Sequence, residues 1–353
     1  MEEYRPLGEI IAEARRRGAS DVHLVAGIPI RMRVDGELAD AGDHPLTETE
    51  CESYARILSP DYDQISRIGE QDLAVSFPDG VRCRVNLFRQ QGAVSAAIRL
   101  LSDHIPTLDE LGLPAVVGTF AGFSQGIVLV TGETGSGKST TLASLLDSIN
   151  HARTRHILTL EDPIEYVYKP DRCVINQREI GQDTRSFEDG LCAVLREDPD
   201  VILIGEMRGL TTIETALVAA ETGHLVFATL HTGSAADTID RIVEVFPAGE
   251  QQQIRIQLSM TLRAVLCQQL LPASSGHGRV AACEVMMVNG AIRNLIREAK
   301  TPQIENSIAT GGREGSVLMD NSLVDLYRRK LISADTARGA AHDPEYVRRL
   351  ILF

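Results

Sequence analysis

Residues 132–140 read Gly-Glu-Thr-Gly-Ser-Gly-Lys-Ser-Thr and fit the spacing G-x-x-x-x-G-K-[ST]. Residue types at that spacing make a phosphate cradle. Gly132 and Gly137 permit backbone angles closed to other residues, so the N–H groups of Glu133, Thr134, Gly135 and Ser136 can converge on phosphate oxygens. Lys138 brings a point charge to the β- and γ-phosphates, and the Ser139 hydroxyl is placed to ligate Mg²⁺. Thr140 opens a helix-forming stretch, 140–146, whose N-terminal dipole also favours an anion. The run Ile127-Val128-Leu129-Val130 supplies the buried strand the motif needs in front of it. An ordinary glycine-rich turn requires neither flank.

Three further apolar runs each end in polar, reactive residues. Ile157-Leu158-Thr159-Leu160 runs into Glu161-Asp162-Pro163-Ile164-Glu165. Val201-Ile202-Leu203-Ile204 runs into Gly205-Glu206-Met207-Arg208. Leu225-Val226-Phe227-Ala228-Thr229-Leu230 runs into His231-Thr232-Gly233. Nearly continuous apolar strands suit a parallel sheet covered on both faces. Ligands of such sheets sit outside the carboxyl ends of the strands, so all four clusters should meet at one edge. Phosphoryl transfer to water needs held phosphates, a metal, an oriented water and positive charge for the transition state. Glu206 stands where a phosphate-loop enzyme keeps the acid that holds Mg²⁺. Glu165 is the candidate to orient and deprotonate the water. Each acid taken alone reads more readily as a solvated loop residue; their shared placement favours chemistry. Glu161 and Asp162 stay open, since Asp before Pro is also turn chemistry. His231 is a candidate γ-phosphate sensor, and His224 a site or subunit contact.

The elements that must carry these residues divide in two. Residues 1–102 read as α+β. Leu7, Ile10, Ile11 and Ala14 make a helical stripe ending near Gly18; strands follow at 22–25 and 30–34, then at 73–77, 81–87 and 94–100. Alternation puts Val81, Cys83 and Val85 on one face, with Arg82 and Arg84 on the other. Arg82, Arg84 and Arg99 would give an acidic protein a basic face for an anion or acidic surface; a solvated face is preferred for Arg31 and Arg33. Residues 103–114, with two prolines, read as a connection. Beyond 247 the chain reads as mostly helical, with Ile254, Leu258, Leu262, Val265 and Leu266 on one helical stripe, and one more strand at 280–288.

Composition sets the outer bounds. The 353 residues are 43% hydrophobic and 24% charged, with 35 Lys and Arg against 49 Asp and Glu, a net charge of −14. That balance argues against a protein that coats nucleic acid. No apolar run reaches the length of a membrane span, and the N-terminus lacks the apolar core of a signal peptide, so a cytoplasmic chain is expected. The six cysteines are scattered without a C-x-x-C pair, as reduced structural thiols are. A zinc site has no suitable spacing.

The chain resembles the type II and type IV secretion ATPases over essentially its whole length, at the pilus-retraction branch of that superfamily. Residues 132–141, 157–166, 195–208 and 220–232 look like its Walker A, Asp box, Walker B and His box. The resemblance implies Lys138 and Ser139 on nucleotide and metal, Glu165 as the catalytic acid, Glu206 at Mg²⁺ and His224 with His231 as the His-box pair. It also implies Arg84 and Arg99 reaching ATP across a subunit boundary. Residues 291–298, Ala-Ile-Arg-Asn-Leu-Ile-Arg-Glu, are similar to a segment characteristic of retraction motors. The departures are Cys192 in place of a common arginine, Gly209 in place of an acid, Gly233 where Thr or Asn is usual, and Gly181-Gln182 in place of a more basic pair.

The expectation is therefore an α/β protein: a small PAS-like α+β domain (1–102), a linker (103–114) and a RecA-like P-loop domain (115–353) with a mostly parallel sheet and a helical C-terminal part. ATP and Mg²⁺ are the implied cofactors. The resemblance implies a homohexameric ring in the cytoplasm, peripheral at the inner membrane under a pilus platform protein and acting indirectly on the pilin filament, with no nucleic acid. Its work would be pilus retraction. The alternatives are a pilus-assembly or type II secretion motor, a nucleic-acid translocase, and a nucleotide-binding regulator without turnover.

Overall fold

A computed structural model describes residues 5–34, 36–78, 80–101 and 104–351. The chain divides into two compact units, Met1–His104 and Ile105–Phe353.

In the first unit, α1 (Leu7–Arg16) buries Leu7, Ile10, Ile11 and Ala14, and Gly18 reverses the chain at φ +66°. Strands β1 (Ala19–Leu24), β2 (Arg31–Val34) and β3 (Glu37–Asp40) follow. Then come α2 (Glu48–Leu58), α3 (Tyr62–Ile68), β4 (Glu70–Ser76), β5 (Arg82–Gln90) and β6 (Ala93–Leu100). The sheet order is β3-β2-β1-β6-β5-β4. A capping box starts α2: the Thr47 hydroxyl accepts from the Glu50 N–H, and Glu50 accepts from the Thr47 N–H. The alternation on β5 holds, with Val81, Cys83, Val85 and Leu87 buried and Arg84 exposed. β3 and α3 carry too little apolar pattern to have been read from sequence; α2 was missed although Cys51, Tyr54, Ala55 and Leu58 stand at helical spacing behind a Thr47-x-x-Glu50 start.

The second unit begins with packing rather than a free connection. Ile105, Leu108 and Leu113 lie partly buried against its core, and a 3-10 helix follows at Ala115–Gly122. Then come β7 (Gly126–Thr131), α4 (Lys138–Ala152), β8 (His156–Glu161), β9 (Val174–Glu179), α5 (Phe187–Val194), β10 (Val201–Ile204), α6 (Leu210–Glu221), β11 (Leu225–Leu230) and α7 (Ala235–Glu244). After α8 (Gln251–Thr261) the chain forms β12 (Leu262–Pro272) and β13 (Arg279–Met287). It closes with α9 (Gly290–Arg297), α10 (Ile304–Thr310), α11 (Met319–Arg328), α12 (Ala334–Gly339) and α13 (Pro344–Ile351). The sheet order is β13-β12-β7-β11-β10-β8-β9. Every pairing is parallel except β12 with β13. All residues of β7, β10 and β11 are buried, as strands covered on both faces must be.

One helical expectation is corrected. Ile254 and Leu258 are on α8, but Leu262, Val265 and Leu266 belong to β12, between β7 and β13. A strand buried on both faces is apolar without a break, so helical spacing continues into it by default and periodicity cannot separate the two.

Five cysteines are buried and Cys192 is exposed; all six are free. Among the described residues no helix is long and apolar enough to cross a membrane, and no group of three His, Cys, Asp or Glu side chains could hold a metal ion.

Candidate active site

The phosphate loop leaves β7 at Thr131 and enters α4 at Lys138. Its glycines are demanded by a neighbour the sequence did not reveal. A Cβ on Gly132 would lie 2.3 Å from the Gln268 carbonyl oxygen of β12, and one on Gly137 would lie 2.8 Å from Gln268 Nε2. Both also have positive φ, +139° and +91°. The Thr141 hydroxyl donates to Gln268 Oε1 at 2.8 Å, which fixes the amide's orientation. Arg279 Nη1 reaches the Gly135 carbonyl at 3.4 Å.

Glu133, Thr134 and Gly135 are exposed at the loop's outer rim, while the Ser136 hydroxyl is buried with no hydrogen-bond partner among the described residues. Lys138 Nζ donates to the carbonyls of Gly132 and Glu133 at 2.7 and 2.8 Å. Burial pulls the Lys138 ammonium below its ordinary pKa, and the charges of Glu206 and Glu165 work the other way. A cationic donor spanning the loop, an orphan hydroxyl and a cradle closed to Cβ atoms all fit a bound phosphate. Ser139 is exposed at the start of α4, and the Thr140 hydroxyl pairs with Tyr166 OH at 3.0 Å.

The neighbouring strands deliver their residues to the same edge. β10 leads into Glu206, which is partly buried. His231, the residue after β11, places Nε2 2.9 Å from Glu206 Oε1. Arg208 Nε donates to the same oxygen. The Met207 N–H donates to the Thr229 carbonyl at 3.1 Å, tying the two strand ends together. β8 ends at Glu161, whose Oε1 accepts from the Thr159 hydroxyl at 2.6 Å and from Gln177 Nε2 at 3.1 Å. Burial pushes the Glu161 carboxyl up despite those two bonds. Asp162 and Pro163 are joined by a cis peptide, and Glu165 is exposed two residues on. Glu179 of β9 holds that loop by accepting from the Ile164 N–H at 3.1 Å. Gln177 bonds the Tyr166 carbonyl and the Tyr168 N–H.

Lys138, Ser139, Glu165, Glu206 and His231 thus gather at the carboxyl ends of β7, β8, β10 and β11. His224 does not join them, although the resemblance pairs it with His231 at the nucleotide. It precedes β11, its Nδ1 bonds the Ala219 carbonyl at 2.9 Å, and the strand separates it from His231 by about 20 Å. Within one chain it is a capping group at the opposite sheet edge. Arg84 and Arg99 are direct cross-strand partners on the first unit's sheet, both exposed. Arg99 Nε is paired with Asp21 at 2.9 Å on β1. Sequence reading missed Gln268, Arg279, Gln177 and Glu179, which stand on β9, β12 and β13. A Gln in an otherwise apolar central strand was the one available signal.

The model of the type II/IV secretion system protein family matches residues 4–315. The chain belongs to that family. Among its relatives, the type IV pilus retraction ATPase PilT of Pseudomonas aeruginosa is 46% identical over 96% of this chain and 98% of its own length. A twitching motility protein of Neisseria gonorrhoeae is 46% identical over 89% of this chain and 84% of its own. A crystal structure of the pilus retraction motor PilT with bound ADP superposes with a TM-score of 0.92, at 46% identity, covering 98% of this chain and all of that one. The expected family, and its P-loop fold with a mostly parallel sheet, are therefore borne out for this secretion-family chain.

Proposed function

We propose that this secretion-family chain is an ATPase motor that powers type IV pilus retraction. The carrying observation is the convergence of Lys138, Glu165, Glu206 and His231 at one sheet edge around the phosphate loop, in a chain close to retraction ATPases along its whole length. Lys138 leaves the loop carbonyls for the β/γ-phosphate oxygens when nucleotide binds, and the Ser136 hydroxyl and loop N–H groups complete the cradle. The Glu165 backbone N–H supports the Glu161 carboxyl while its own side chain stands exposed, as a base that must reach water does. Glu206 and His231 form a pair whose hydrogen bond a γ-phosphate can break or make, so the pair reports nucleotide state. Ser139 and Glu206 suit Mg²⁺, a hard ion content with one or two protein oxygens beside phosphates and water; when bound it neutralises charge on the transferring phosphoryl group.

Arg84 and Arg99, one face of one sheet, are suited to add positive charge at a neighbouring copy's phosphate loop, beside that copy's own Lys138 and Arg279. A homohexameric ring in the cytoplasm, docked under an inner-membrane platform protein and acting through it on the pilin filament, follows from this reading. Phosphate release by the purified protein, with and without Mg²⁺, tests the enzyme. A deletion strain that keeps surface pili but cannot twitch supports retraction; a strain without pili would point to an assembly motor, and no phosphate release to a regulator.

A further inference from the structure

Behind the His231 turn lies a buried carboxylate that none of these roles uses. Glu284 stands on β13, 4% exposed, opposite Cys267 of β12. Its two oxygens face the starts of two different helices. Oε1 accepts from the Ala235 N–H, the first residue of α7, at 2.8 Å. Oε2 accepts from the Met319 N–H, the first residue of α11, at 3.4 Å. α11 has Leu318 at its N-cap and no side-chain cap of its own. α7 has Ser234, whose hydroxyl takes only the Asp237 N–H. Each helix therefore offers an orphan donor, and the positive end of its dipole, to one carboxylate.

Short bonds join α7 to the site. The Thr238 hydroxyl donates to the Ser234 carbonyl at 2.7 Å, so the Thr232 hydroxyl must be the donor in its 2.7 Å contact with Thr238. Thr232 is the residue after His231. The Cys267 thiol lies between Thr238 and Thr131, with the Thr131 hydroxyl donating to its sulfur at 3.0 Å. Thr131 is the last residue of β7 before the phosphate loop. On the other side, Asp320 of α11 accepts from the N–H groups of His342 and Asp343, both at 2.8 Å, just ahead of α13.

We infer that Glu284 is a positioning residue: it clamps the His231 turn, through α7, against the start of α11, so that a shift of His231 at the nucleotide and a shift of the C-terminal helices are one movement. The inference rests on the ATPase reading above.

Glu284→Gln keeps the side chain's size but turns one acceptor into a donor facing an N–H. With folding confirmed by its melting curve, kcat for ATP should fall about five- to twentyfold while KM stays within about twofold, because the phosphate loop is untouched. On a His231→Ala background the same substitution should cost less than about twofold more, since residues acting through one another do not add. Thr232→Val cuts the tie to α7 without touching β13; it should reproduce the kcat-only loss, and it decides the matter if Glu284→Gln does not fold. Normal kcat in the folded variants, a loss that multiplies fully on His231→Ala, or a KM that rises in step would overturn the inference. If the wild type releases no phosphate, or His231→Ala is neutral, the ATPase reading fails first and the clamp falls with it.

Discussion

At the scale of single residues, the site separates groups that hold nucleotide from groups that turn it over. Lys138 is the only cation that spans the loop carbonyls among the described residues, so Lys138→Ala should abolish hydrolysis and weaken nucleotide binding. Glu165→Gln should bind ATP as the wild type does and turn over about 10²–10⁴-fold more slowly, the usual cost of losing a general base. Equilibrium binding of a fluorescent ATP analogue beside single-turnover phosphate release separates the two; near-normal turnover in the Glu165 variant would remove it from that role. The loop residues were legible in the sequence because their spacing encodes backbone conformation directly. The place of His224 was legible too, since it opens the strand that His231 follows; its partner, the Ala219 carbonyl at the end of α6, was not. Gln268 and Glu179 were illegible as well: their contacts exist only once β12 and β9 lie beside their neighbours.

At the scale of elements, α9 and the first unit's sheet carry distinct expectations. α9 buries Ile292 and Ile296 and leaves Arg297 exposed. Arg293 Nε is buried without a partner among the described residues, and burial together with the Arg293 charge pulls the Arg263 pKa down. Removing Arg293 therefore relieves repulsion rather than breaking an ion pair. The double change Arg293→Ala and Arg297→Ala should leave a folded protein with most of its ATPase activity but poor twitching in cells; normal twitching would free α9 of a coupling role. On the sheet, burial raises the Asp21 carboxyl, but hydrogen bonds from Ser20 and Arg99 and the Arg99 charge outweigh it, so its pKa is lowered. A lowered carboxylate adds stability above its unfolded pKa of about 3.9 and loses it as pH falls through the folded value. Arg99→Ala should thus cost about 0.2–1 kcal/mol at neutral pH, the range for a largely exposed pair, and nothing in acid below Asp21's own titration. Urea melts at a series of pH values would show it, and a pH-independent difference would contradict it. β7, β8, β10 and β11 were readable as apolar runs that end in reactive clusters, whereas β9, a largely polar strand at the sheet's edge, was not. β12 was misread because its buried run borrows helical spacing.

At the scale of the whole molecule, the role proposed for Arg84 and Arg99 makes an assembly of copies, rather than the single chain, the working enzyme. If Arg84 and Arg99 serve a neighbouring copy's nucleotide, mixing Lys138→Ala subunits with Arg84→Ala subunits should restore part of the hydrolysis that each lacks alone. Full activity in wild-type monomers at high dilution would show that the site is complete within one chain. The division into two units was legible from the change of pattern near residue 102, since α+β alternation gives way there to apolar runs. Nothing in one sequence states what the exposed arginine face meets.

The distribution of thiols has a practical consequence. Cys51 and Cys283 are pushed up to about 11 and about 12 by burial, and Cys173 and Cys267 are raised by the same cause. Cys83 is fully enclosed. Only Cys192, on α5, faces solvent. The unmodified chain should therefore accept one maleimide dye per subunit quickly at neutral pH, on the helix that packs against α6, with no cysteine removed beforehand. The slow labelling of the other five then becomes a clock for how often each core opens. Cys51 and Cys83 time the first unit, and Cys173, Cys267 and Cys283 the second. Mass spectrometry of labelled peptides, taken with and without ATP, would read both clocks from one sample; rapid labelling at more than one site would refute the assignment.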